Sequence, residues 1–132
     1  MNQVLVAEDN AVNRELLREL LEAEGYDVTE AGDGVEALRM VEQSRPDILL
    51  LDIGMPELDG FGVIRQLRAN PRSASLRVLA VTAYAMQGDR EKILAAGFDG
   101  YLSKPINPQF LMQEIERLLQ ENPAPKTARA GA

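Results

Sequence analysis

Ile48-Leu49-Leu50-Leu51-Asp52-Ile53-Gly54-Met55-Pro56-Glu57-Leu58-Asp59-Gly60 is the stretch on which the fold turns. Four large apolar residues in a row end at a carboxylate, and Gly54, Pro56, Asp59 and Gly60 then signal a turn. A strand with one wet face alternates apolar and polar residues. An unbroken run suits a strand buried on both faces, the situation of central strands in a parallel sheet. Val4-Leu5-Val6-Ala7 and Val78-Leu79-Ala80-Val81 are runs of the same kind. Tyr26 to Ala31 alternates and reads as a strand nearer an edge, and Gly100-Tyr101-Leu102-Ser103 is a weaker fifth, bounded by Gly97 and Pro105.

Helical patterns lie between these runs. Val12, Leu16, Leu17, Leu20 and Leu21 recur at three-to-four spacing, with Asn10 as N-cap and Gly25 as the stop. Ala37, Leu38 and Val41 make a second stripe, opened by Gly34 and closed before Pro46. Phe61, Ile64, Leu67 and Arg68 belong to a third helix ending before Pro71, and Arg90 to Ala96 forms a fourth, stopped by Gly97. Phe110, Leu111, Ile115, Leu118 and Leu119 form a fifth that starts near Asn107-Pro108 and ends before Pro123. Five strand-then-helix repeats with buried strands predict an α/β fold: a five-stranded parallel sheet with five helices on both faces.

The chain of 132 residues is one domain's length, and its 45% hydrophobic and 27% charged content is that of a globular protein. Residues 1–121 are expected to form the domain and 122–132 a flexible C-terminal tail, since Asn122 to Ala132 holds no large apolar side chain. There is no His and no Cys. That excludes Ser-His-Asp and Cys-His nucleophilic machinery, zinc held by His or Cys, haem ligation and disulfides. The net charge of −7 argues against nucleic acid as a partner. Met1-Asn2-Gln3 lacks a basic leader, and the longest apolar stretch falls far short of the ~20 residues that span a bilayer. A cytoplasmic location with no membrane partner is expected.

In an open parallel sheet, ligands bind beyond the carboxyl ends of the strands. Glu8-Asp9 follows the first run, Asp52 the third, Thr82 the fourth and Ser103-Lys104 the fifth. Each has a bland reading as a cap, a turn residue, a strand residue or a solvated side chain. Four such placements at one edge make a shared site the better account. Three converging carboxylates repel unless a cation or protons lie between them. Oxygen donors with room for water suit Mg²⁺. A Lys opposite and a Thr hydroxyl would complete a site for a phosphoryl group arriving on a carboxylate. Rival phosphate chemistry fits worse, because there is neither G-x-x-x-x-G-K-[ST] nor G-x-G-x-x-G after the first strand. A phosphohydrolase working through an aspartyl phosphate would usually carry a second Asp where Gly54 stands.

V-L-V-A-E-D-N at 4–10, D-I-x-M-P-x-L-D-G at 52–60, V-T-A at 81–83 and Y-L-S-K-P at 101–105 together resemble the receiver domain of two-component response regulators, over residues 3 to 121. The resemblance implies a flavodoxin-like sheet of strand order 2-1-3-4-5, and Asp52 as phosphoacceptor from a phosphohistidine on a histidine kinase or phosphotransfer protein. It implies Mg²⁺ as cofactor, held by Glu8, Asp9, Asp52 and the Gly54 backbone carbonyl. Lys104 would bind the phosphoryl group, Thr82 would move towards it, and Tyr101 would be the coupled switch aromatic. The Lys104-Pro105 peptide would be cis. The chain would then be a signalling switch that catalyses only its own phosphorylation and dephosphorylation.

The acidic pair is Glu-Asp where Asp-Asp is commoner in the family, and Gly54 and Tyr84 stand where residues line access to the phosphoryl group. For Arg14, one turn into the first helix, a solvated face is the default reading. T-A-Y-A-M-Q-G-D at 82–89 resembles receivers of hybrid kinases and stand-alone cell-cycle regulators, pointing to phosphorelay wiring. The eleven residues after 121 leave no room for an output domain. If the chain is complete, output is expected through a protein effector docking on the face of helix four, strand five and helix five. A receiver-like scaffold that does not need phosphorylation is the alternative.

Overall fold

The structure, a computed structural model, describes residues 2–55, 58–83 and 87–120. The proposed tail at 122–132 and Tyr84 lie outside them. Five strands, β1 (Gln3–Ala7), β2 (Asp27–Ala31), β3 (Ile48–Asp52), β4 (Arg77–Thr82) and β5 (Gly100–Ser103), alternate with α1 (Ala11–Ala23), α2 (Gly34–Ser44), α3 (Gly60–Ala69), α4 (Gln87–Ala95) and α5 (Pro108–Gln120). All strand pairs are parallel, in the order β2-β1-β3-β4-β5. This is the flavodoxin-like order expected, with β3 in the middle and β2 and β5 at the edges.

The apolar runs behave as their composition requires. Every residue of β3 and of β4 is buried. Side chains alternate between two cores because successive residues of a strand face opposite sides. Leu5, Leu49, Leu51, Val78 and Ala80 pack with Ala37, Val41, Val63, Ile64, Leu67 and Ile93 of α2, α3 and α4. Val4, Val6, Ile48, Leu50 and Leu79 pack with Leu17, Leu21, Leu111, Ile115 and Leu118 of α1 and α5. Each fully buried Leu or Ile contributes roughly 1.5–3 kcal/mol through the water it leaves.

The helix boundaries follow local chemistry. Asn10, Asp33 and Asp59 each turn a side-chain oxygen onto a backbone N–H three residues on, capping α1, α2 and α3. Gly25 and Gly97 take positive φ just after α1 and α4. α4 begins at Gln87, three residues earlier than expected.

Two stripes need correction. Val12 and Leu16 are 75% and 54% exposed, and Phe110 is 59% exposed. α1 turns Leu17 and Leu21 to the sheet, and α5 turns Leu111, Ile115 and Leu118. At 3.6 residues per turn, the neighbours Leu16 and Phe110 sit about 100° off those faces.

Candidate functional site

β1, β3 and β4 are adjacent and in parallel register, so their last residues come to one edge: Ala7 stands beside Leu51, and Asp52 beside Val81. Asp52 and Thr82 are the last residues of β3 and β4, Glu8 and Asp9 follow β1, and Lys104 follows β5. The Lys104 N–H donates to the Thr82 carbonyl (2.8 Å), which continues the β4–β5 ladder one step and brings Lys104 to the acidic edge. The Lys104-Pro105 peptide is cis, as the resemblance implied.

Lys104 Nζ lies 3.1 Å from Asp52 Oδ2 and 3.1 Å from Glu8 Oε2. The other oxygen of Asp52 accepts the Gly54 N–H (3.0 Å), and Glu8 Oε1 accepts the Asn10 N–H (3.3 Å). Asp52, Glu8 and Thr82 are buried, whereas Asp9 is exposed. One ligand oxygen from each of Glu8, Asp9 and Asp52 falls within 4.8 Å of the others. Among the described residues, a Cβ at Gly54 would meet nothing closer than Asp52 Oδ1, at 3.8 Å.

The electrostatics are those of a cluster with too few cations. Burial pushes the Glu8 carboxyl above its usual range; the Lys104 ammonium counteracts this, and the charge of Asp52 adds to it. For Lys104, burial alone would depress the ammonium, but Glu8 and Asp52 together outweigh it and hold the group above its ordinary value. Glu8 Oε2 is buried and, though at ion-pair distance from Lys104, makes no aligned hydrogen bond. A buried carboxylate oxygen left in this state has capacity for a cation. The donors are all oxygen, and Asp9 opens to water, so the set fits Mg²⁺, which keeps several waters.

Arg14 departs from the solvated reading. It is half-buried, with Nη1 donating to the Glu8 carbonyl (2.8 Å) and Nε to Glu30 on β2 (3.1 Å). Arg18 holds the other Glu30 oxygen at 2.8 Å. Arg14 therefore ties the backbone of the acidic pair to the edge strand. Its sequence signal, an Arg four residues after Asn10 opposite an acidic β2 residue, is too common to single out.

Tyr101 stands apart from the acidic edge. Half-buried on β5, it carries the Arg90 guanidinium 5.9 Å above its ring. It lines a groove of about 730 Å³ between α4, β5 and α5, with Leu94 and Phe110 partly exposed on the rim. A second, more apolar cavity of about 420 Å³ joins Glu8 and Lys104 to Leu16, Leu17, Leu20 and Ile106. No helix among the described residues is long and apolar enough to cross a membrane.

Comparison with known proteins agrees with this arrangement. The polar-differentiation response regulator DivK of Brucella anthropi is 42% identical over 109 residues, 82% of this chain and 89% of that protein. The receiver domain of the sensor histidine kinase PA1611 from Pseudomonas aeruginosa PAO1, with a magnesium ion coordinated in its active-site cleft, superposes with a TM-score of 0.84 at 38% identity. That match covers 91% of this chain and 98% of that one. The Vibrio cholerae chemotaxis protein CheY4 gives a TM-score of 0.84 at 30% identity, over 89% of this chain and 98% of that one. The model of the response regulator receiver domain family matches residues 4–116. With its strand order, its acidic strand ends and these relatives in accord, the chain belongs to the response regulator receiver domain family of two-component signalling.

Proposed function

We propose that the chain is a phosphorylation switch in which Asp52 accepts a phosphoryl group from a phosphohistidine on a histidine kinase or phosphotransfer protein. The observation that carries this is the setting of Asp52: a buried carboxylate at the sheet's carboxyl edge, 3.1 Å from Lys104, beside Glu8 and Asp9. An Asp52 oxygen attacks phosphorus as the P–N bond to the donor imidazole breaks, and the leaving nitrogen takes a proton. Phosphoryl transfer asks for positioning and charge neutralisation more than covalent help. The Gly54 N–H and Lys104 hold the carboxylate for in-line attack, and the Lys104 ammonium then neutralises the phosphoryl oxygens. Glu8, Asp9, Asp52 and the Gly54 carbonyl would hold Mg²⁺, which neutralises charge building on the transferred group when bound.

In the switch, the Thr82 hydroxyl bonds the phosphoryl group and Tyr101 changes packing with it, biasing a two-state equilibrium. The donor's helices dock over the exposed Val12 and Leu16 beside the apolar cavity that opens onto Glu8 and Lys104. The effector is a protein docking on the α4–β5–α5 groove. The setting is cytoplasmic, where kinase domains supply phosphohistidine.

The test is labelling by a small-molecule phosphodonor with and without Mg²⁺. Wild type becomes phosphorylated only with Mg²⁺, and Asp52→Asn is not labelled. Undiminished labelling of Asp52→Asn sinks the assignment. In the phosphorylated protein, amide shifts should extend from Asp52 to Thr82, Tyr101 and α4.

A further inference from the structure

The segment carrying Asp52 and Gly54 is braced from behind by two glycines in series. α3 begins at Gly60, whose N–H donates to the Ile53 carbonyl (3.0 Å). A Cβ at Gly60 would come within 2.7 Å of Ile53 Cα and 3.3 Å of the Asp52 carbonyl oxygen. Both neighbours are backbone, and Ile53 is the residue between Asp52 and Gly54. No rotamer change relieves such an overlap, so a side chain at position 60 must push the segment itself.

Gly34 does the same one layer further back. It opens α2, and a Cβ there would overlap the Leu58 carbonyl oxygen, come within 3.1 Å of its carbon and stand 2.8 Å from Val63 Cγ2 on α3. Leu58 lies just ahead of the α3 cap Asp59. A side chain at position 34 therefore displaces the start of α3, and with it Gly60 and Ile53. Neither glycine has positive φ, so close approach rather than backbone conformation demands them. Gly62 supplies an internal contrast, because its added Cβ would meet the side chain of the same Leu58, which can rotate away.

We propose that Gly60 and Gly34 are positioning residues for the acidic site: their bare backbones set where Asp52 and Gly54 stand relative to Glu8, Asp9 and Lys104. This rests on the reading of Asp52 and Gly54 as part of a cation site. A displaced carboxylate spoils shared coordination, because all the ligand oxygens must reach one ion. Supporting residues behind metal ligands typically matter ten- to a hundred-fold in affinity.

The experiment titrates MgCl₂ into the ¹⁵N-labelled full chain, comparing wild type with Gly60→Ala, Gly34→Ala and Gly62→Ala at a temperature where each is folded. Hydrogen exchange at amide 60, read relative to Leu50, reports the brace itself. Gly60→Ala and Gly34→Ala should each raise the Mg²⁺ dissociation constant about ten-fold or more and lower the relative protection of amide 60. Gly62→Ala should change either by less than about two-fold. An unchanged dissociation constant in the first two variants, or equal weakening in all three, overturns the proposal. Should wild type take up no Mg²⁺, the cation reading fails, and amide 60 still decides the brace: unchanged protection in both variants refutes it. If Gly60→Ala does not fold, Gly34→Ala carries the same test.

Discussion

Replacing Glu8 by Gln should make the metal-free protein more stable while removing its response to Mg²⁺. Coulomb's law at an effective dielectric of 20 sets the scale. At 3.1 Å the Lys104 ammonium attracts Glu8 by about 5 kcal/mol. Within 4.8 Å, Asp52 repels it by about 3.5 kcal/mol or more, and the exposed Asp9 adds a screened contribution. The charges nearly cancel, leaving about 1–2 kcal/mol in favour of ionised Glu8 before burial is counted. Glu8 is only 1% exposed, and dehydrating a carboxylate costs several kcal/mol. The cost wins, in agreement with the upward push that burial gives this carboxyl. A Gln amide keeps the acceptor for the Asn10 N–H and offers Asp52 a donor in place of a like charge. The expected gain is about 1–3 kcal/mol at pH 7 without metal. In wild type, Mg²⁺ at a hundred times its dissociation constant adds about 2.7 kcal/mol, and the variant should lose most of that increment. The pH dependence has a defined sign. A carboxyl whose folded pKa is raised stabilises most below its unfolded value, 4.5, and that contribution is lost as pH rises through the folded pKa. Urea unfolding of both proteins from pH 4 to 8, with and without Mg²⁺, measures all of this. A Gln variant less stable than wild type without metal, or equally stabilised by Mg²⁺, would refute the reasoning.

Arg68 donates to the carbonyls of Ala74, Leu76 and Gly97 and pairs with the buried Asp99 at 3.0 Å; burial and then nearby Arg77 pull its pKa down to about 10, so it is charged at neutral pH. Arg68→Met should cost about 3–5 kcal/mol in denaturant unfolding, since it removes the cation paired with the buried Asp99 carboxylate; a loss under about 1 kcal/mol would show that water replaces the guanidinium. Phe110→Ala should leave stability within about 0.5 kcal/mol, whereas Ile115→Ala, at 0% exposure, should cost about 2–5 kcal/mol; equal losses would place the α5 face wrongly. Asn10→Ala should lower unfolding free energy by about 0.5–2 kcal/mol through the lost cap on Asn13 N–H; no loss would mean that the cap is immaterial.

The fold was legible because its signals are local. The unbroken runs at 4–7, 48–51 and 78–81 mark strands buried on both faces, and caps and glycines such as Asn10, Gly25 and Gly97 punctuate the helices. Packing faces were less legible. Val12, Leu16 and Phe110 fit helical stripes as well as their buried neighbours do, and only the orientation of each helix on the sheet excludes them. Arg14 and Arg68 read as ordinary helix residues because their acidic partners, Glu30 and Asp99, lie 16 and 31 residues away.

Residue types and their position after each apolar run determine, without coordinates, that carboxylates, a Thr and a Lys gather at the carboxyl edge. Parallel strands must end on the same side of a sheet. What only the tertiary structure decides is the balance among those groups: that Lys104 stands 3.1 Å from both Glu8 and Asp52, that Glu8 keeps a buried oxygen without an aligned hydrogen bond, and that Tyr101 belongs to a separate groove. Distances and burial between residues far apart in sequence depend on how whole elements pack, down to the two glycines behind Asp52, and chain spacing carries no record of them.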